Sequence, residues 1–316
     1  MGKDGMALAS LVAAVMIAVA FFVEQPGTLA GNMGICLSSP NQWPLSPLWG
    51  WIMNTAFLVV TGIVLFFMNK EYQLVHGSDT VIIGMFLIMA ASNPWVSGML
   101  STSAIMALAN LICLSVLFGC YRKKSSAQEL FLIATILSLG SMIQYAFIFM
   151  MPAYIIGALF LKCFNFKGFL AFLMGIAAPY WVAIGLGIVP LDWFTMPTFT
   201  NLFDGFENRS SLLVGVLNLA FTVLIGMVLA LNNLVKLYAG NTQRRLYNDV
   251  VMVLGLVCSI CMVIDFNNLV AYAATVYMVS AVQVANLFAM RNIRYAPRWL
   301  WAISLLYVVG FAAMMF

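Results

Sequence analysis

Uncharged apolar stretches alternate with short polar breaks along the chain, and their lengths predict transmembrane helices. The runs cover Met6–Val23, Leu48–Met68, Thr80–Trp95, Leu100–Tyr121, Leu130–Ile143, Tyr145–Leu161, Gly168–Val189, Leu212–Val235, Val250–Ile264, Leu269–Met290 and Trp299–Phe316. Breaks of Pro, Gly, Asn or charge separate them, as expected of membrane spans joined by turns. The predicted fold class is all-α: a polytopic integral membrane protein of about 10–11 helices, some short or broken. Residues 1–316 read as one transmembrane domain without a soluble domain.

Cations orient this frame. Thirteen of the 14 Lys and Arg residues flank the same alternate set of segment ends, and Arg209 alone falls at the other set. The positive-inside bias then makes the first set cytoplasmic, with the N-terminus inside. Trp43, Trp49, Trp51, Trp95 and Trp193 gather at the outer ends, and Trp299 and Trp301 at an inner one, as interfacial aromatic belts do. Two outer loops are long, Glu24–Pro47 and Pro190–Ser211, and rich in Pro, Gly, Asn and aromatic residues. One-turn helices lying at the interface suit them.

Thr80–Trp95, Leu130–Ile143 and Val250–Ile264 are short for a bilayer core of about 30 Å. All three run outward and end in polar residues: Ser92-Asn93-Pro94, Gln144, and Asp265 with Asn267-Asn268. Backbone freed below the surface must be buried in protein or line a wet cavity. An outward-opening crevice with these ends at its floor accounts for the pattern; local bilayer thinning or helix tilt is the alternative.

Composition agrees with the class. Hydrophobic residues make up 64% and charged residues 8%, more apolar surface than a soluble domain of this size can hide. The net charge of +4 belongs to loops facing anionic lipid and gives no reason to expect nucleic acid. Five of six cysteines sit on or beside apolar segments and read as small hydrophobes, including the Cys258/Cys261 pair. Thr28-Leu29-Ala30 suits a signal peptidase, but the preceding run is longer than an ordinary signal core.

Candidate chemistry lies outside. Glu24, Asp192, Asp204, Glu207 and Asp265 face a single outer cation, Arg209. Five acids against one base suit a sugar-handling site in which a carboxylate acts as general base, or one that holds a divalent cation. They also suit a loop surface from which positive-inside selection has removed cations. Arg209 is a candidate phosphate ligand, with a local salt bridge to Asp204 or Glu207 as the competing reading. Gln144 and Asp265, at the crevice floor, join Arg209, Asp204 and Glu207 as expected substrate contacts. His76 stands alone in an inner loop. Asn54, Asn110, Asn218, Gln283 and Asn286 lie inside apolar helices, where amides join neighbours. No charge sits at mid-depth, which argues against ion-coupled transport.

Two resemblances add to this. The runs Met68-Asn69-Lys70-Glu71-Tyr72-Gln73-Leu74-Val75, Tyr121-Arg122-Lys123-Lys124 followed by Glu129-Leu130-Phe131, Gly168-Phe169-Leu170-Ala171-Phe172-Leu173-Met174-Gly175-Ile176-Ala177-Ala178-Pro179-Tyr180-Trp181 and Asn241-Thr242-Gln243-Arg244-Arg245-Leu246-Tyr247 resemble a family of uncharacterised polytopic inner-membrane proteins of Gram-negative anaerobes and gliding bacteria. That resemblance implies a bacterial inner-membrane address. Glu24 directly after the first helix, the long first outer loop and Pro44-Leu45-Ser46-Pro47-Leu48-Trp49 are similar to C-type-fold glycosyltransferases that use polyprenyl-linked donors. That family usually carries a second acid beside the first, whereas Gln25 and Pro26 follow here. The resemblance implies Glu24 as base, Asp192 assisting, Arg209 on the lipid phosphate and a polyprenyl-phosphate-linked sugar as partner. The expectation is an envelope-biogenesis protein handling a lipid-linked saccharide outside, without a cofactor. Its alternatives are a non-catalytic subunit of an export or envelope-assembly complex, with protein partners, and a lipid or glycolipid flippase.

Overall fold

The computed structural model describes residues 3–23, 34–75, 79–123, 126–196, 210–237, 242–289 and 296–315. Each predicted segment carries a helix: α1 Lys3–Ala20, α2 Pro47–Tyr72, α3 Asp79–Ala91, α4 Pro94–Ser97, α5 Thr102–Phe118, α6 Ala127–Ile143, α7 Met151–Phe160, α8 Phe166–Gly185, α9 Ser210–Leu237, α10 Thr242–Ile264, α11 Leu269–Ala289 and α12 Ala296–Met315. Six contain stretches long and apolar enough to cross a bilayer, and five shorter apolar helices complete the set. The protein is an all-α polytopic membrane protein.

Local chemistry sets many of the boundaries. Ser46 accepts a hydrogen bond from Trp49 N ahead of Pro47, so α2 begins with a capping hydroxyl and a proline in its first turn. Asn165 caps α8 by accepting from Gly168 N at 2.6 Å. The short reading of Val250–Ile264 is corrected: α10 starts at Thr242 and runs for 23 residues. Arg244 and Arg245 mark a break in a charge pattern, yet both lie within the helix. Arg244 is half-buried there and donates to Leu74 O at 3.1 Å and Asn286 Oδ1 at 3.2 Å.

Helix α11 is the axis of the bundle. α3, α5, α9 and α10 pack around it, and its whole membrane-length window is buried. Its polar side chains reach different neighbours: Thr275 accepts from Asn110 of α5, Tyr277 donates to Asn218 of α9, and Gln283 donates to Asn248 of α10. Between apolar helices in lipid there is little hydrophobic drive to associate, so small residues and interhelical hydrogen bonds choose which helix is inside. The amides Asn54, Asn110, Asn218, Gln283 and Asn286 all make such bonds.

Helix α8 lies at the edge and packs mainly along α6. Pro179 removes a backbone donor inside α8, freeing the Gly175 carbonyl. Thr135 of α6 donates to that carbonyl at 3.4 Å, and Ser138 donates to Ile176 O at 2.7 Å. A freed carbonyl in a membrane needs such a donor.

The ends of α2, α5 and α7 and the start of α10 meet at one end of the bundle. Tyr247 stacks on Phe118 at 4.4 Å, Tyr72 packs edge-on to both, and Arg122 N donates to Leu161 O. Lys70, Arg122, Lys162 and Arg244 therefore share this basic end.

Candidate functional site

At the opposite end, the polar breaks are enclosed. α3 has 13 residues, about 20 Å of helix, and stops at Ser92-Asn93 before the single turn of α4. Asn93 Oδ1 accepts from Trp95 N at 3.0 Å, capping α4, while its amide donates to Tyr277 Oη at 3.2 Å. Asn218 of α9 donates to Ser92 Oγ and accepts from Tyr277. The break thus makes its hydrogen bonds to protein side chains of α9 and α11.

A second cluster joins the end of α6 to the turn between α10 and α11. The Asp265 carboxylate accepts from Tyr145 Oη at 2.9 Å, from Tyr272 Oη at 3.0 Å, and from Asn268 Nδ2, which is 2.9 Å from both oxygens. Asn268 Oδ1 accepts from Gln144 Nε2, and Asn268 also donates to Tyr145. Gln144 Oε1 is buried without a partner. Asp265 lies in the connection between two spans, where burial raises its pKa above the ordinary carboxylate value. The hydrogen bonds from Asn268, Tyr145 and Tyr272 oppose that rise.

The two long loops meet above this cluster. Ile35 N donates to Ser141 O and Leu37 N to Met142 O, laying the first loop over the end of α6. Thr195, from the second loop, donates through its backbone N to Ile35 O at 3.0 Å and through Oγ1 to Gly34 O at 3.1 Å. A Cβ at Gly34 would lie 2.2 Å from Met142 O, so only glycine permits this approach. Pro40–Gln42 and Leu191–Trp193 form one-turn 3₁₀ helices in these loops.

Two predicted substrate contacts, Gln144 and Asp265, are brought together through Asn268. Asp192 is exposed on the Leu191–Trp193 turn at the same end. Glu24, Asp204, Glu207 and Arg209, like His76, lie outside the described residues. The crevice expectation is corrected: Ser92, Asn93, Gln144 and Asp265 are at most 1% exposed. Tyr272 and Tyr277 of the central helix pack against the breaks and fill the space. Among the described residues no three His, Cys, Asp or Glu side chains gather as a metal site, and three donors already occupy Asp265.

Sequence reasoning missed Tyr145, Tyr272, Tyr277, Asn233 and Asn248. The usable signal was spacing: Tyr272, Thr275, Gln283 and Asn286 recur at helical intervals along an otherwise apolar segment. Comparison with protein-family models, with curated proteins and with solved structures finds no match to this chain.

Proposed function

We propose that the chain handles a lipid-linked saccharide at the outer face of a bacterial inner membrane, as a glycosyltransferase or polymerase of envelope biogenesis. The observation that carries this reading is the junction of the two long loops. The loop that begins at Glu24 and the loop that contains Asp192 are hydrogen-bonded to each other over the end of α6. Gly34 and Ile35 of the first loop are thereby held to Thr195 of the second, which supports a shared loop surface where a lipid-borne donor and a hydroxyl acceptor meet. Glu24 acts as base, Asp192 assists it, and Arg209 holds the lipid phosphate. Gln144 and Asp265 lie beneath the surface and fix the floor on which the loops rest, so their part in substrate binding is through position.

Native mass spectrometry of protein extracted in mild detergent tests this. A polyprenyl-phosphate species that co-purifies with the wild type and is lost from Arg209→Ala supports the reading, as does turnover lost from Glu24→Gln. Extraction with bulk phospholipid only, unchanged in all variants, sinks it.

A second reading, a non-catalytic subunit of an export or envelope-assembly complex, draws on a different observation. The Asp265 cluster and the helix breaks are closed and bonded within the protein, as in a structural bundle. A stoichiometric protein partner in the same experiment favours it.

A further inference from the structure

An apolar groove of about 240 Å³ opens sideways between α9 and α10, with α11 as its back wall. Gly226 and Ala230 line it from α9, Met252 and Gly255 from α10, and Val279 and Ser280 from α11. Gly226 and Gly255 let the helices close on α11: a Cβ would meet Ser280 Oγ at 2.4 Å and Val279 Cγ1 at 2.7 Å, respectively. Residues three or four apart share a helix face, so each lining stripe can be followed toward the basic end. On α9 the residue after Ala230 on that face is Asn233. On α10 the residues preceding Met252 are Asn248 and then Arg244, and on α11 those following Ser280 are Gln283 and Asn286. All three helices change character at the same level, from apolar slot to amide and guanidinium.

The amides form a ladder with two open rungs. Asn233 donates to Gln283 Oε1 at 2.9 Å, and Gln283 donates to Asn248 Oδ1 at 3.0 Å. Asn233 Oδ1 and Asn248 Nδ2 are buried and unpartnered, one an acceptor and the other a donor. Buried polar atoms in this condition call for a ligand or a water. Among the described residues Arg244 bonds to neutral oxygens, the Leu74 carbonyl and the Asn286 amide, and these bonds leave its charge uncompensated. Asp249, one position beyond Asn248, lies within the field of Arg245, and its Oδ1 is buried without a hydrogen-bond partner.

We propose that this groove binds one anionic phospholipid from the leaflet at the basic end. Its acyl chain fills the slot between α9 and α10, its phosphate meets Arg244 and the open Asn248 amide, and a headgroup hydroxyl reaches Asn233 Oδ1. The guanidinium supplies the charge, and the unpaired donor and acceptor match a glycerol-phosphate head. Met252, unbranched and at the joint between slot and ladder, is the side chain that gives way. This site is independent of the loop surface at the other end.

The test is lipid titration of delipidated full-length protein by native mass spectrometry, with phosphatidylglycerol, phosphatidylcholine and inorganic phosphate alone. One phosphatidylglycerol is expected to bind about tenfold more tightly than phosphatidylcholine, the size of one charge-assisted contact. Arg244→Gln, which keeps amide donors toward Leu74 and Asn286, is expected to remove most of that preference, leaving only the part that the headgroup hydroxyl on Asn233 carries. Ala230→Phe is expected to block both lipids. Should it not fold, Met227→Trp narrows the same slot from a side chain already 41% exposed. Equal affinity for the two lipids, a preference undiminished by Arg244→Gln, or inorganic phosphate competing as well as the lipid would overturn the proposal.

Discussion

Helices α8 and α11 are nearly matched in length, at 20 and 21 residues, and in apolarity, with mean hydropathies of 1.7 and 1.4. α11 is enclosed along its whole window, whereas 28% of α8's window is buried. The slightly less apolar helix is the one inside. In water that order would be anomalous; in a bilayer it follows from the solvent, since lipid accepts an apolar surface as readily as a protein core does. α11 is enclosed because Ala271, Ala273, Ala274, Ala281 and Ala285 allow close approach and its polar groups have partners on every side. α8 instead turns Leu170, Met174, Trp181 and Val182 outward and holds to α6 by one seam.

The largest break in this contrast should come at the end of the central helix. Asp265→Ala leaves Tyr145, Tyr272 and Asn268 without their shared acceptor in a closed site. At about 1–3 kcal/mol for each buried donor left unpaired, we expect a loss of at least about 3 kcal/mol, read from unfolding in mixed micelles. A variant that unfolds with the wild type would show that α11 is not anchored there. Next is the α8 seam. A Cβ at Gly175 would lie 2.5 Å from Phe131 O and 2.8 Å from the Ala134 Cβ. Gly175→Ala should therefore push α8 off α6 at a cost of about 1–3 kcal/mol, with protease sensitivity confined to α8. Digestion spread over the whole bundle would mean the seam supports more than its own helix. Smaller again is Gln283→Leu, which removes one rung between α9, α11 and α10. Intramembrane hydrogen bonds average about 0.6 kcal/mol, so a loss near 1 kcal/mol is expected from the same unfolding curve.

Hydrophobic run length was enough to read the helices, because the bilayer sets a minimum apolar length and charge marks the ends. It could not read their arrangement. The start of α10 was hidden because Arg244 and Arg245 look like loop cations, although a half-buried guanidinium bonded to Leu74 and Asn286 fits inside a helix end. The crevice was misread because the freed groups at Asn93 and Gln144 can be met by water or by side chains. The choice fell to residues of α9, α11 and the α10–α11 junction, far away in sequence. Asp265 and Gln144 were legible as polar ends of short segments. That they meet through Asn268 depends on the packing of α6 against the α10–α11 turn, which no local pattern encodes.

The smallest effect is the most useful for function. Trp181 is 74% exposed on the outer face of α8. Trp181→Leu trades one lipid-compatible side chain for another and should change stability by no more than about 0.5 kcal/mol in detergent. The same measurement in native membranes separates the two functional readings. If lipid alone covers α8, the variant stays neutral in both settings. If α8 docks on a partner subunit, the exposed tryptophan is a natural anchor, since buried aromatic residues dominate such contacts. Trp181→Leu would then lower stability only in the native membrane, with loss of the partner on gentle extraction. A helix so apolar, held to its own chain along one face, gives its other face either to the lipid or to another protein, and this substitution discriminates between them.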